Sequence, residues 1–182
     1  GLAANAFVVT HIASAAAALA WPFMEWIHRG KPTTLGAASG AVAGLVAITP
    51  ASGFVGPMSA IIIGGLAGVI CYGGVLLKSR LGYDDSLDVV GIHGLGGTWG
   101  ALATGLFAST KINPDGANGL FFGNPGQLWI QFLSVIATMV FAFVMTVVIL
   151  KLIDMVIGLR ITEEEEIKGL DISLHNETGY SF

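Results

Sequence analysis

His93 is the one titratable side chain between Val89 and Thr110, and His11 is the one titratable side chain among the first 24 residues. Each sits in a run apolar enough to lie in a bilayer, where both ring nitrogens need partners. Neutral imidazole offers one donor and one acceptor; the protonated ring only donates. The segment Gly91-Ile92-His93-Gly94-Leu95-Gly96-Gly97 supplies no polar side chain to answer His93. A group on another helix, a nearby carbonyl or hydroxyl, or a small polar guest must do so. An ionisable residue at membrane depth is a functional candidate by default. Imidazole also changes charge near neutral pH and can pass a proton between its two nitrogens.

His11 stands in Thr10-His11-Ile12-Ala13-Ser14, where Thr10 and Ser14 are close enough along a helix to satisfy it. A structural role is the expectation there. The two histidines together would also suit ligation of a haem between helices, so a haem-binding electron-transfer subunit stands as an alternative. The remaining polar groups have plainer readings. Ser39 and Thr49 are placed to bond back to helix carbonyls. Asp88 opens the fourth apolar stretch, where a carboxylate caps the positive end of a helix. Glu25, Trp26, His28 and Arg29 read as interfacial anchors, as does Asp154 beside Lys151. Glu163 to Glu166 reads as a solvated acidic face.

The elements that position these groups can be read from the spacing of charge. Residues 32–77, 89–110 and 116–150 contain no Asp, Glu, Lys or Arg. Charged residues make up 11% of the chain against roughly 25% in soluble domains, and apolar residues make up 54%. A spanning helix needs about 20 mostly apolar residues. The pattern predicts an all-α integral membrane protein with five spanning helices, at about 4–27, 34–50, 58–78, 87–109 and 125–157, and a tail over 158–182. Pro and Gly mark the breaks: Arg29-Gly30-Lys31-Pro32, Thr49-Pro50, Gly53 to Pro57, and Lys111 to Asn124. His93 then lies about 9 Å inside the fourth helix, at 1.5 Å per residue.

Five alternating spans put Arg29, Lys31, Lys78, Arg80, Lys151, Arg160 and Lys168 on one side, with Lys111 alone on the other. That bias marks the shared side as cytoplasmic, with the tail on it. The net charge of −4 comes from the tail, where six acidic residues face two basic ones. No basic face suggests nucleic acid. The single Cys71 excludes an intramolecular disulfide and gives no metal pattern. Gly36, Gly40 and Gly44, then Gly64 and Gly68, form small-residue ridges that let helices approach closely. Gly91 to Gly97 adds bare backbone beside His93, room for a narrow path. Gly1 leads straight into an apolar helix, which suggests a fragment or a processed product.

Three separated blocks carry a family resemblance. They are WPFMEWIHRGKPTTLGAASGAVAGLVAIT from Trp21 to Thr49, DDSLDVVGIHGLGG from Asp84 to Gly97, and a tail with Gly158-Leu159-Arg160, the glutamate run, Gly169-Leu170-Asp171, His175, Glu177 and Tyr180. Together they resemble the C-terminal half of ammonium transporters of the Amt/Mep/Rh family, on the prokaryotic Amt side. The resemblance implies helices seven to eleven of an eleven-helix fold with inverted repeats, in homotrimers with one pore per subunit in the cell's inner (plasma) membrane. It implies that His93 is the second of two pore histidines. It implies that Val89, Ser39, Val42 and Thr49 border the pore and that Asp88 lies at its cytoplasmic mouth. Arg160 and Asp171 correspond to fixed contacts of a regulatory tail, on the face where PII-type signalling proteins dock. Asn176 departs from the family's usual Gly. The first pore histidine, the outer phenylalanine gate, the external ammonium-recruiting residues and the fifth-helix acid correspond to no residue of this chain.

The resemblance implies a transporter, not an enzyme, with no cofactor. Carrying bare ammonium through hydrocarbon is prohibitive, so an apolar constriction favours ammonia, with the proton carried separately by the histidines. The alternative within this reading is an incomplete half-transporter without its own pore.

Overall fold

The computed structural model describes residues 1–179; Tyr180 of the tail block lies outside the described residues. All regular structure among them is helical. It begins with α1 (Leu2–Arg29), α2 (Thr34–Ile48) and α3 (Pro57–Leu81). A single π-helical turn, Val90–Gly94, then leads into α4 (Leu95–Phe107). A short 3₁₀ turn (Leu120–Phe122) precedes α5 (Pro125–Val156), and α6 (Glu163–Lys168) and α7 (Leu170–His175) close the chain. Three of these, α1, α3 and α5, are long and apolar enough to cross a membrane. The predicted second span is shorter, at 15 residues. The predicted fourth, 87–109, is a π turn followed by a 13-residue helix, because Asp88 has left-handed backbone (φ 56°) and no helix runs through it.

Local chemistry sets the ends. Gly30 takes φ 78° after α1 and returns its N–H to the Trp26 carbonyl. Gly82 does the same after α3 at φ 68°, bonding Lys78. Both are glycine C-caps that a side chain would strain. Thr33 caps α2, its hydroxyl accepting the Gly36 N–H at 2.8 Å. Pro57 opens α3, where its missing N–H costs nothing.

Residues Gly1–Ile136 form one compact unit. Its core is made of small residues: Ala13, Ala17, Ala43, Ala47, Ala60 and Ala67 are fully buried, beside Val9, Ile48, Val55 and Ile63. The predicted glycine ridges converge on α1. A methyl at Gly44 would stand 2.5 Å from the Ala13 carbonyl oxygen, and one at Gly40 would stand 2.6 Å from that of Ala17. Gly64 and Gly68 of α3 meet the same two residues. Helices that lack large side chains at their contact let dispersion act between backbones, the usual route to tight association in lipid. Polar side chains tie the layers. Trp99 donates to the Ile63 carbonyl at 3.0 Å, Ser14 to Ala41 at 3.1 Å, and the Asn5 amide to Ser52 and Val55 at 3.2 and 3.0 Å.

The second unit is Ala137–Phe182. It holds the end of α5, in which no residue is buried, and the two short tail helices. Thr162 and Glu165 form a reciprocal capping box at the start of α6, which the acidic run occupies. Asp171, at the start of α7, accepts the Gly179 N–H at 3.1 Å.

Candidate functional site

The site builds outward from the π turn. Asp85 holds its start: one carboxylate oxygen accepts the Val89 N–H at 2.8 Å and the other accepts the Val90 N–H at 2.9 Å. The cap expected of Asp88 therefore belongs to Asp85. Asp88 is turned away by its left-handed backbone, and its carboxylate takes the Lys78 ammonium instead. Lys78 also donates to the Asp85 carbonyl at 2.8 Å. In the turn itself the Leu95 N–H reaches back to Val90 as well as Ile92. The extra residue rotates the succeeding side chains by about 100° relative to an unbroken α-helix.

Bare backbone fixes the turn against α3. A Cβ on Gly91 would lie 3.0 Å from a Val75 methyl and 3.2 Å from the Val75 nitrogen. The Cys71 thiol points at the Ile92 carbonyl at 3.7 Å. His93 lies on the open side. Its ring is exposed, and it makes no hydrogen bond to another described residue. Val89 is also open, at 48% exposure, and so is Val42 of α2 at 40%.

Ser39 and Asp88 share a pocket of about 290 Å³ between α1, α2, α3 and the chain leading to the π turn. Glu25, Thr33, Tyr72 and Arg29 line it too. Glu25 was expected as an interfacial anchor; it is instead 5% exposed. Its carboxylate accepts the Thr33 N–H at 2.8 Å and the Thr33 hydroxyl at 3.0 Å, and it sits so close to Gly36 that a Cβ there would clash. Two charge-assisted bonds to the chain entering α2 satisfy it. His28 and the phenol of Tyr72 meet at 2.8 Å, with Trp21 edge-on to the Tyr72 ring at 5.6 Å.

The other sequence candidates are simpler. Thr49 bonds back to the Leu45 carbonyl at 2.7 Å, the helix back-bond expected of it. His11 is exposed, and its Nδ1 pairs with the Phe7 carbonyl at 3.0 Å rather than with Thr10 or Ser14, since Ser14 is committed to α2. Arg160 and Asp171 belong to the second unit and are both exposed. Hydrogen bonds from the Gly179 and Ile172 amides hold the Asp171 carboxyl below its usual range. Sequence reasoning missed Asp85, Lys78 and the depth of Glu25. The spacing of Asp85 to Val89 was a usable cap signal, masked by the nearer Asp88.

Residues 1–180 match the sequence profile described as the Ammonium Transporter Family. The chain belongs to that family. It is 53% identical over 181 residues to an ammonium transporter of Bacillus subtilis (strain 168), covering 99% of this chain and 45% of the relative. The crystal structure of Mep2 from Candida albicans superposes with a TM-score of 0.83 at 35% identity, over 90% of this chain and 38% of Mep2. A structure named Sensor Amt Protein superposes at 0.79 and 28% identity, over 94% of this chain and 42% of that one. This member of the ammonium transporter family thus spans about half the length of the curated relatives it matches. Its long apolar helices agree with a family of multi-pass membrane transporters.

Proposed function

We propose that this chain forms one half of the wall of a pore that passes ammonia or ammonium across the cell membrane in nitrogen uptake. In this reading residues 1–157 make five spans, α1, α2, α3, the π turn with α4, and α5, and residues 158–182 form a cytoplasmic tail. His93 faces the path, with Val89, Ser39, Val42 and Thr49 along it and Asp88 at the cytoplasmic mouth. One observation carries the reading: in an ammonium transporter family chain about half its relatives' length, the histidine of a charge-free helix is exposed and without a described partner. A ring that needs two partners and has none from its own half is suited to meet a partner ring, a guest molecule and a proton in the other.

The His93 ring then orients neutral ammonia in an apolar constriction and hands the proton along separately. His93→Ala in the full-length protein is expected to reduce ammonium-evoked current and methylammonium uptake and to loosen discrimination against other cations. Conduction and selectivity identical to the unaltered protein would refute the assignment. The share of the relatives' length also favours a second statement: taken alone, residues 1–182 conduct nothing. Methylammonium uptake into vesicles containing only this chain would contradict it.

The same reading makes the functional unit a homotrimer and the tail a regulatory element. Arg160 and Asp171 would serve as fixed contacts, with a PII-type signalling protein as the partner at the cytoplasmic face. The structural likeness to a Sensor Amt Protein supports a signalling link. Removal of residues 158–182 is expected to change the activity or its coupling between subunits; indistinguishable transport would count against it.

A further inference from the structure

We infer that Asp85, braced by Lys78, is a positioning residue for His93: it sets the register of the π turn and thereby the direction in which the imidazole points. This rests on the transport role of His93 proposed above. The π turn has three fixings. On the α3 side, Gly91 lies against Val75 too closely for a side chain. The Cys71 thiol meets the Ile92 carbonyl. At the start, both oxygens of Asp85 are used, on the Val89 and Val90 amides. The first two restrict its phase, since a slip would bring a side chain to the bare Gly91 contact, but they do not fix where the turn starts. The paired cap does choose it. Two consecutive N–H groups converging on one carboxylate fix where the first turn begins, three residues before His93.

The brace is independent of the cap. Lys78 is anchored on the last turn of α3 and reaches both the Asp85 carbonyl and the Asp88 carboxylate. Asp88 takes φ 56°, a conformation non-glycine residues rarely hold. The Lys78 ammonium holds the carboxylate of that turned-back residue, so Asp88 does not compete with Asp85 for the amides. An extra residue in the turn shifts every later side chain by about 100°. A slip back to a plain α-helical start would therefore swing His93 relative to α4 and carry Gly91 off Val75.

The test uses the full-length protein in proteoliposomes, with Asp85→Ala, Asp85→Asn and Lys78→Met measured beside His93→Ala. Asp85→Ala is expected to lower maximal methylammonium uptake on the order of tenfold, below the roughly 100-fold that an ångström of misplacement can cost. The half-saturating concentration should change little, because binding groups away from the turn are untouched. Asp85→Asn keeps an acceptor oxygen and should recover most of the rate; Lys78→Met should fall between. A merely structural Asp85 would reduce the amount of folded transporter and leave the rate per folded molecule intact, and that result overturns the proposal. If Asp85→Ala does not fold, Lys78→Met carries the question, and a rate per folded molecule equal to that of the unaltered protein overturns the proposal equally. A crippled His93→Ala beside an unimpaired Asp85→Ala removes the positioning role alone. A fully active His93→Ala removes the transport role on which it rests.

Discussion

Two regions of the first unit are held together by different means. At Ala13 and Ala17, α1 is gripped between the glycines of α2 and α3, with backbone against backbone and one hydroxyl, that of Ser14, bonded across to α2. At the entries to α2 and to the π turn the grip is made by carboxylates on backbone amides: Glu25 on Thr33, and Asp85 on Val89 and Val90. The first kind of contact is non-directional and tolerates no added volume. The second is directional and holds a chain end at one angle. A pore wall needs both, a scaffold that does not move and chain ends that aim particular side chains. Here His93 and Val89, two of the side chains proposed for transport, lie with the second kind.

The sharpest way to break this contrast is to add volume to the first region. Gly64→Leu would drive a side chain into the Ala13 backbone, which α2 prevents from retreating because Gly44 lies so close that even a Cβ there would stand 2.5 Å from the same carbonyl oxygen. Overpacking of a filled core typically costs about 1–3 kcal/mol and sometimes more. Backbone has no rotamer to yield, so loss of folded protein is expected, read as the monodisperse fraction in detergent. Gly65→Leu, one residue on, opens into free space and should be tolerated. Equal yields from the two would mean that the glycine grip is not what holds α1.

A smaller effect is expected from the second region. Glu25→Ala removes the buried acceptor of the part-buried Thr33 bond, and because the Thr33 N–H can then turn to water the loss should stay at or below the low end of the roughly 1–3 kcal/mol for a stranded buried group. Glu25→Gln retains one acceptor oxygen and should recover part of it. Thermal unfolding of the detergent-solubilised protein measures both. Unlike the glycine substitution, Glu25→Ala should leave the protein folded at room temperature but lower its midpoint, and any change in transport should accompany altered orientation of α2. A midpoint equal to that of the unaltered protein would show the buried carboxylate to be incidental.

The scaffold was far more legible in the sequence than the aim of its side chains. The charge-free runs and glycine spacing predict helices at nearly the observed places, because hydrophobic length and small-residue ridges act at a scale one reads directly from composition. Gly44 and Gly64 were legible as contacts for the same reason. Asp88, Asp85 and Glu25 were not. Choosing between two aspartates three residues apart depends on a single backbone rotation at Asp88, which no periodicity reports. Glu25 reads as an anchor because it sits beside Trp26 and Arg29 at the end of an apolar run. Its burial is decided by the return of the chain at Thr33 and by the bare Gly36, both remote from it in sequence. The π turn was unreadable too, since Val90 to Gly94 is equally compatible with α-helix.

The mildest test extends the contrast to the tail, where α6 begins with the carboxylate kind of contact. The Thr162 N–H donates to the Glu165 carboxylate at 3.0 Å, and the Thr162 hydroxyl, which also donates to that carboxylate at 2.8 Å, accepts the Glu165 N–H. These bonds hold the Glu165 carboxyl below its ordinary value of 4.5, the Thr162 amide contributing most. A carboxyl whose folded value is depressed stabilises the fold above its unfolded value and loses that contribution as pH falls through the folded one. The capping box should therefore be intact at neutral pH and open on acidification, over a range that begins near pH 4.5 and ends below it. Nuclear magnetic resonance of the tail in the solubilised protein reads this as helical shifts of Glu163 to Lys168 moving toward coil as pH falls below about 4.5. Thr162→Ala removes the hydroxyl from both halves of the box and should lower the helical shifts already at neutral pH. The glycine grip around Ala13 contains no titrating group among its contacts, so resonances of Ala13 and Ala17 should stay still over the same range. Movement of both together would show that the two regions share one mode of cohesion after all.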